Sequence, residues 1–354
     1  MDLEDALYVL GSPVFLPGRS DAKLVADVGS ALSSNHSASS GGAPQLRTKS
    51  LCPAKGVECG IPDFRLIDAM LCLSLATQPN VSDDVYQWYQ HWAWLRYAGV
   101  FEVQAAQLCL NDSGRSVRAN QRRVLSEEMG VGFGMLVAAL WCRALGASTP
   151  ISVLDVDLAL HEGRPWVEAR GGRLRVTRRQ PDYILAFPDP VRQNSWNFTT
   201  LECKGTAHRG NARAQLARAV TQLVSLEIDG KVPPGIAVDT VCGDSGIEYL
   251  AVDPESEPDG DARLPTVEIS GAIVRERGPE VVERRPDGSI SVPAEAFIAT
   301  SLSMGYGTLA DFSGNVEAAA SWWPAETRRR LNRQHRTQIV SETEDGMFVG
   351  VGYV

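Results

Sequence analysis

Two ionisable residues near the middle of the chain have the types and spacing that acid–base chemistry needs. Glu202 and Lys204 flank Cys203 at the end of the apolar, threonine-rich run "FTTLECK". Side chains alternate between the two faces of a strand, so Glu202 and Lys204 are expected on one face and Cys203 on the other. A carboxylate and an ammonium group then lie together at the end of one strand.

A second carboxylate is expected beside this pair. Asp182 begins the preceding apolar run, "DYILAF", and strands that follow each other in sequence usually lie side by side. Two carboxylates suit Mg²⁺, which prefers oxygen ligands and is commonly held by one or two carboxylates plus substrate phosphate. The metal would acidify a water molecule, and Lys204 would position that water or offset charge in the transition state. Hydrolysis of a phosphodiester is the chemistry that this set suits.

The segments around these residues predict alternating helices and strands. Residues 124–146 have a helical pattern that begins near Ser126 and ends at Gly146. Short β-branched or alternating segments follow, and then "NARAQLARAVTQLVSLEI" returns to a helical pattern before a further strand. The predicted order is a helix, three or four strands, a helix and a strand.

Stretches rich in turn formers divide the rest of the chain. Residues 1–115 are predicted to be a helical region that contains a flexible Ser- and Gly-rich loop at 29–50. Residues 116–255 form the expected central domain. The acidic stretch 253–265 then leads into a C-terminal α+β segment, 256–354, to which the sequence assigns no role.

Composition bounds the class of protein. The 354 residues are 44% hydrophobic and 22% charged, which is ordinary for a soluble protein. There is no uninterrupted apolar run near the roughly 18 to 20 residues that a bilayer span requires, and the start lacks the positive charge of a secretory signal. Seven scattered cysteines without a CxxC pair indicate reduced, mostly buried thiols. We therefore expect a cytoplasmic protein with no membrane partner.

The charge pattern leaves room for a local phosphate-binding face. The formal net charge of −9 argues against a protein that coats nucleic acid indiscriminately. Basic residues nevertheless cluster before Asp182, and these could supply the contacts that position a nucleic-acid backbone: Arg173, Arg175, Arg178 and Arg179. A basic run of this kind is equally typical of a solvated surface.

Three motifs of other enzyme classes are set aside. "CGDSG", 242–246, resembles a serine-protease nucleophile loop, but its Ser245 lies only 37 residues after His208 with a long helix between them, so the motif predicts a β-turn. "GVGFG", 130–134, lies inside a helical pattern and indicates close helix packing rather than a nucleotide loop. Without a "GKS" or "GKT" motif, a built-in NTPase is not expected.

The run "PDYILAF", followed after 20 residues by "ECK", resembles the PD-(D/E)xK, or restriction-endonuclease-like, nuclease superfamily. The resemblance covers roughly 125–255, about a third of the chain. It implies an α/β fold whose core is a mixed β-sheet flanked by helices. An α-rich N-terminal region and an α+β C-terminal segment would then be additions to this core.

The resemblance also implies roles for individual residues. Asp182 and Glu202 would bind the metal, Mg²⁺ or Mn²⁺, together with the main-chain carbonyl of Cys203. Lys204 would be the catalytic lysine. Many members add a glutamate from the first core helix, and here Glu127 or Glu128 matches.

Of these two glutamates, Glu128 is preferred, because it lies one and two turns from Gly132 and Met135. On the later helix, Gln215 or Gln222 is expected to contact the substrate or the groups around the metal ligands.

These observations predict a Mg²⁺-dependent nuclease that cleaves nucleic acid, with DNA the expected substrate and restriction or anti-phage defence the expected setting. Two alternatives remain open at this point. The fold also serves as a non-cleaving nucleic-acid-binding or regulatory module. The chain is also compatible with a nuclease subunit that a partner activates, or with a homodimer.

Overall fold

The computed structural model describes most of the first 254 residues and parts of the remainder. The described ranges are 2–38, 50–77, 91–147, 151–156, 180–189, 191, 195–228, 232–244, 246–254, 266–268, 283–284, 290–292, 339–342 and 348–352. Its helices are α1 Leu3–Gly11, α2 Ala22–Ala38, α3 Leu66–Ala76, α4 Trp92–Tyr97, α5 Asp112–Ser116, α6 Ala119–Ala144 and α7 Arg209–Leu223.

The described strands form several sheets, the largest of which is mixed. They are β1 Val14–Leu16, β2 Gly18–Arg19, β3 Leu51–Cys52, β4 Ile61–Phe64, β5 Phe101–Gln104, β6 Gln107–Leu110, β7 Ser152–Asp155, β8 Tyr183–Pro188, β9 Ser195–Thr206, β10 Leu226–Ile228, β11 Gly235–Gly243, β12 Gly246–Pro254, β13 Thr266–Glu268, β14 Glu283–Arg284, β15 Ile290–Val292, β16 Ile339–Glu342 and β17 Phe348–Gly352.

The largest sheet has the strand order β2-β12-β11-β9-β8-β7, and β3 and β13 pair with β12 and β9. Strands β7, β8 and β9 form an antiparallel meander. After α7, β11 returns parallel to β9, and β12 pairs with it as an antiparallel hairpin. The predicted order of helix, strands, helix and strand is confirmed, as is the mixed sheet flanked by helices.

Helices cover both faces of this sheet because its central strands are apolar on both sides. On one face, Phe133 and Trp141 of α6 belong to a buried cluster that includes Cys203 and Val238. On the other face, α2 and α7 bury their own cluster against the sheet; its members include Leu24, Val28, Leu216, Val220, Ala237 and Val241. Alternation along β11 assigns residues 237, 239 and 241 to the α7 face.

Glycines let α6 lie directly on β9. A Cβ atom at Gly130 would come within 2.6 Å of the main-chain carbonyl of Lys204. One at Gly134 would come within 2.7 Å of the Cys203 sulfur, and one at Gly205 would overlap the Ser126 carbonyl oxygen. The interpretation of "GVGFG" as close helix packing is confirmed.

Helix α6 starts earlier in the chain than the sequence pattern predicts. It begins at Ala119, so Ser126 is a buried interior residue whose hydroxyl donates to the Arg122 carbonyl at 2.9 Å. It ends as predicted, with Gly146 at a φ of +92°. By length and composition α6 is apolar enough to cross a membrane, and 67% of its most apolar stretch is buried inside the structure. A helix packed between a sheet and α3 needs few polar residues.

The predicted flexible loop at 29–50 is wrong for its first part. Helix α2 continues to Ala38, because Leu24 and Val28 anchor it in the core and its serines are compatible with helix. The hydroxyls of Ser30 and Ser33 bond to the carbonyls of Ala26 and Gly29 one turn earlier, at 2.9 and 3.0 Å. Residues 39–49 lie outside the described part of the chain.

The N-terminal region is not purely helical and shares its core with the central region. It contributes strands β1 to β6, and two of them, β2 and β3, pair with β12. One buried cluster runs from Val9 to Ala251, so the predicted boundary at 115/116 lies within a continuous core. In the segment 256–354, the structure describes only strands β13 to β17.

Candidate active site

The main-chain pairing of β8 with β9 ends where the predicted carboxylates lie. The last paired residues are Tyr183 and Leu201. One step further, the main-chain N–H of Asp182 donates to Oε2 of Glu202 at 2.8 Å, and the N–H of Cys203 donates to Oδ2 of Asp182 at 3.0 Å. Each carboxylate thus binds the backbone of the opposite strand, which holds the two acids side by side.

Lys204 completes the cluster. Its ammonium donates to Oε1 of Glu202 and lies 4.0 Å from Oδ2 of Asp182. The Glu202 side chain is fully buried, whereas the side chains of Lys204 and Asp182 are 24% and 36% exposed. The structure therefore brings the three predicted groups together with one side open to solvent, while their catalytic role stays a prediction.

The electrostatics of the cluster favour an additional positive charge. Burial, together with the neighbouring Asp182 carboxylate, raises the pKa of Glu202 well above its usual value, despite the opposing effect of Lys204. Burial lowers the pKa of Lys204, but the carboxylates of Asp182 and Glu202 outweigh it and leave the pKa raised. A second cation would relieve the repulsion between the two carboxylates.

The donor set fits a hard divalent cation through oxygen atoms. The N–H of Cys203 faces Asp182, and a strand residue presents its N–H and C=O to the same side, so its carbonyl also faces that edge. Among the described residues there is no group of three His, Cys, Asp or Glu side chains that could hold a metal ion. Two carboxylates, one carbonyl and water nevertheless suffice for Mg²⁺, which usually keeps several waters.

The two glutamines of α7 have different surroundings. Nε2 of Gln222 donates to the main-chain carbonyl of Gln180 at 3.1 Å, two residues before Asp182. Gln222 therefore ties α7 to the segment that carries the first carboxylate. Oε1 of Gln215 is buried without a hydrogen-bond partner among the described residues.

The two candidate glutamates of α6 are engaged elsewhere. Glu128 accepts hydrogen bonds from the hydroxyl of Tyr97 and, at 3.3 Å, from Arg96. Glu127 forms an exposed ion pair with Arg123 at 3.7 Å. The contacts of Glu128 join α6 to α4, so its proposed contribution to the metal site has no support from these hydrogen bonds.

The predicted phosphate contacts cannot be placed. Arg173, Arg175, Arg178 and Arg179 lie outside the described residues. The strands on either side of the predicted β-turn are described: β11 and β12 pair as an antiparallel hairpin up to Gly243 and Gly246, and Ser245 lies outside the described residues.

One acidic residue of this region was missed by the sequence interpretation. Asp239 lies in the middle of β11, directly opposite Lys204 on β9, and is fully buried. The signal was a single charged residue inside the apolar run "GIAVDTVC". Without the pairing of β11 with β9, nothing in the sequence connected it with Lys204.

Comparisons with known proteins provide no assignment. No family model matches the chain, and neither a curated protein nor a solved structure is significantly similar to it.

Proposed function

We propose that the protein is a Mg²⁺-dependent nuclease with a restriction-endonuclease-like core, and that Asp182, Glu202 and Lys204 form its active site. The observation that carries the proposal is the convergence of these groups where β8 and β9 separate. The meander β7–β9 between α6 and α7, with β11 parallel to β9, agrees with the order of elements in that superfamily.

Each residue has a definite task in this proposal. Asp182 and Glu202 hold the cation, with the carbonyl of Cys203 as a third oxygen. The bound Mg²⁺ or Mn²⁺ would acidify a water molecule and neutralise charge on the phosphate. Lys204 presents an ammonium group beside both carboxylates, where it offsets the negative charge that develops on a phosphodiester. DNA is the proposed substrate and the cytoplasm the proposed location.

Cleavage of plasmid DNA tests the catalytic role of Lys204. With Mg²⁺ present, we expect Lys204→Met to lose about 100-fold or more in rate, as expected for loss of a charge-stabilising group. Lys55→Met, at an exposed lysine, is the matched control and should cleave like wild type. Circular dichroism establishes that both variants are folded. Equal rates for folded Lys204→Met and wild type would remove the assignment.

Metal titration adds a result that a merely structural lysine would not produce. The ammonium of Lys204 already binds Glu202, so it competes with any cation for that carboxylate. Lys204→Met should therefore bind Mn²⁺ at least as tightly as wild type in isothermal titration while losing cleavage. Asp182→Asn should abolish the binding signal.

A non-cleaving nucleic-acid-binding protein on the same fold is the second candidate. It is favoured by the lack of a three-side-chain metal group in the described part of the chain. In such a protein, the ion pair between Lys204 and Glu202 would be purely structural. Nucleic-acid binding that is unchanged by Mn²⁺, together with no Mn²⁺ signal in wild type, would select this candidate.

A further inference from the structure

Asp239 carries a buried carboxyl group in the middle of β11. The residue is 0% exposed, and neither Oδ1 nor Oδ2 has a hydrogen-bond partner among the residues that the structure describes. Burying a carboxyl group without hydrogen bonds is costly, and an unsatisfied polar group of this kind needs a structural or functional reason.

The position of Asp239 relates it to the candidate site. Strands β9 and β11 are parallel, and Asp239 is the direct partner of Lys204 in their register. Neighbouring strands lie about 4.8 Å apart, and directly paired residues point to the same face. The positive charges that act on Asp239 are those of Lys204, from β9, and Arg218, from α7. Asp239 therefore flanks Lys204 on the side away from Asp182.

In the structure, Lys204 binds a carboxylate that the proposed reaction needs for the metal. Its ammonium is hydrogen-bonded to Glu202, which is also a proposed metal ligand. Two positive charges that share one buried carboxylate repel each other strongly. When a divalent cation binds, the ammonium needs another acceptor within reach of its flexible four-carbon chain.

We propose that Asp239 is this acceptor: when a divalent cation binds Asp182 and Glu202, Asp239 releases its proton to solvent and receives the ammonium of Lys204. Asp239 is then a positioning residue, which holds Lys204 beside the cation instead of in its place. The inference rests on the proposed function, because it requires a cation at Asp182 and Glu202. It adds a fourth side chain, from β11, to a site otherwise built from β9 and the residue that precedes β8.

A double-mutant cycle of Mn²⁺ affinity tests the coupling. Asp239→Asn keeps the shape of the side chain but cannot ionise, so Lys204 remains on Glu202 and competes with the metal. We expect Asp239→Asn to weaken Mn²⁺ binding about tenfold in the wild-type background, a typical coupling between two sites. In the Lys204→Met background the same change should have no effect.

A matched control is available on the same strand. Thr240 is the next residue of β11, also buried and with a hydroxyl that has no hydrogen-bond partner among the described residues, but it faces α6. Thr240→Val should leave Mn²⁺ affinity unchanged in both backgrounds. If Asp239→Asn weakened binding equally with and without Lys204, a direct effect on the metal would replace the proposed coupling.

NMR spectroscopy of the wild-type protein provides a second test. The chain has five lysines, at 23, 49, 55, 204 and 231, so ¹³Cε-lysine labelling gives few NMR signals. The signal that is lost in the spectrum of Lys204→Met is the signal of Lys204. On addition of Mg²⁺ that signal should shift and remain distinct from those of the exposed Lys23 and Lys55. A Lys204 signal that is unaltered at saturating Mg²⁺ would overturn the inference.

The two proposals fail in different ways. If wild type shows no Mn²⁺ binding that depends on Asp182, the proposed function and this inference are both overturned. If wild type binds Mn²⁺ and cleaves DNA but the cycle shows no coupling between Lys204 and Asp239, only the inference is overturned.

Discussion

The buried carboxyl group of Asp239 makes the stability of the protein depend on pH in a defined direction. Burial raises its pKa from 3.8 to about 8, against the opposing effects of Lys204 and Arg218. Between these values the folded protein keeps a proton that the unfolded chain has lost. The unfolded state therefore binds fewer protons, and the free energy of unfolding falls as the pH rises from about 4 to about 8.

The size of this effect follows from the same shift. One pKa unit corresponds to about 1.4 kcal/mol. At about pH 7, roughly three units above the unfolded pKa, Asp239 is expected to lower the free energy of unfolding by on the order of 4 kcal/mol relative to about pH 4. Asp239→Asn removes this dependence, because an amide does not titrate.

Urea unfolding of wild type and Asp239→Asn across this pH range measures the effect, with tryptophan fluorescence as the signal. Glu202 also has a raised pKa and adds a similar slope to both proteins, so the informative quantity is the difference between the two curves. We expect the variant to gain stability relative to wild type as the pH rises. Thr240→Val should shift the curve without changing its slope.

Parallel curves for wild type and Asp239→Asn between about pH 4 and pH 8 would refute the reasoning. They would mean that the Asp239 carboxyl has a similar pKa in the folded and unfolded states. Groups such as bound water would then stabilise the ionised form of this buried side chain.

Two further predictions concern packing around the site. Gly205→Ala should lower the free energy of unfolding by about 3 kcal/mol or more, because a Cβ atom there overlaps the Ser126 carbonyl of α6. The control is Gly210→Ala, whose added Cβ atom meets nothing within 4 Å and which should be neutral or slightly stabilising in thermal denaturation. Equal losses of stability in the two variants would contradict the contact between Gly205 and α6. Tyr97→Phe should lower the free energy of unfolding by about 2 kcal/mol, because it removes a hydrogen bond to the Glu128 carboxylate. An unchanged urea midpoint at constant m-value would show that this bond does not contribute to stability.

Much of the site was predictable from local sequence. The alternation of a strand placed Glu202 and Lys204 on one face, and the adjacent apolar run placed Asp182 beside them. The glycines at 130 and 134 indicated close packing, which occurs between α6 and β9. Each of these predictions depends on residues that are near in sequence or on neighbouring strands.

The errors arose where composition was taken as conformation. The Ser- and Ala-rich stretch after residue 29 is helical up to Ala38, since two apolar anchors and hydroxyl bonds to the preceding turn outweigh its low hydrophobicity. The preference for Glu128 followed from its position on the helix alone. Its hydrogen bond to Tyr97 depends on how α4 packs against α6.

The sequence by itself determined which groups this protein can use: two acids and a lysine at the ends of consecutive strands, between two helices. Only the tertiary structure decided that Asp239, which lies 35 residues after Lys204 in the sequence, becomes its direct neighbour, fully buried and without a hydrogen bond among the described residues. The physical reason is that the parallel pairing of β11 with β9 requires the crossover through α7. The register of that pairing is selected by the packing of both faces of the sheet, and no local pattern encodes it.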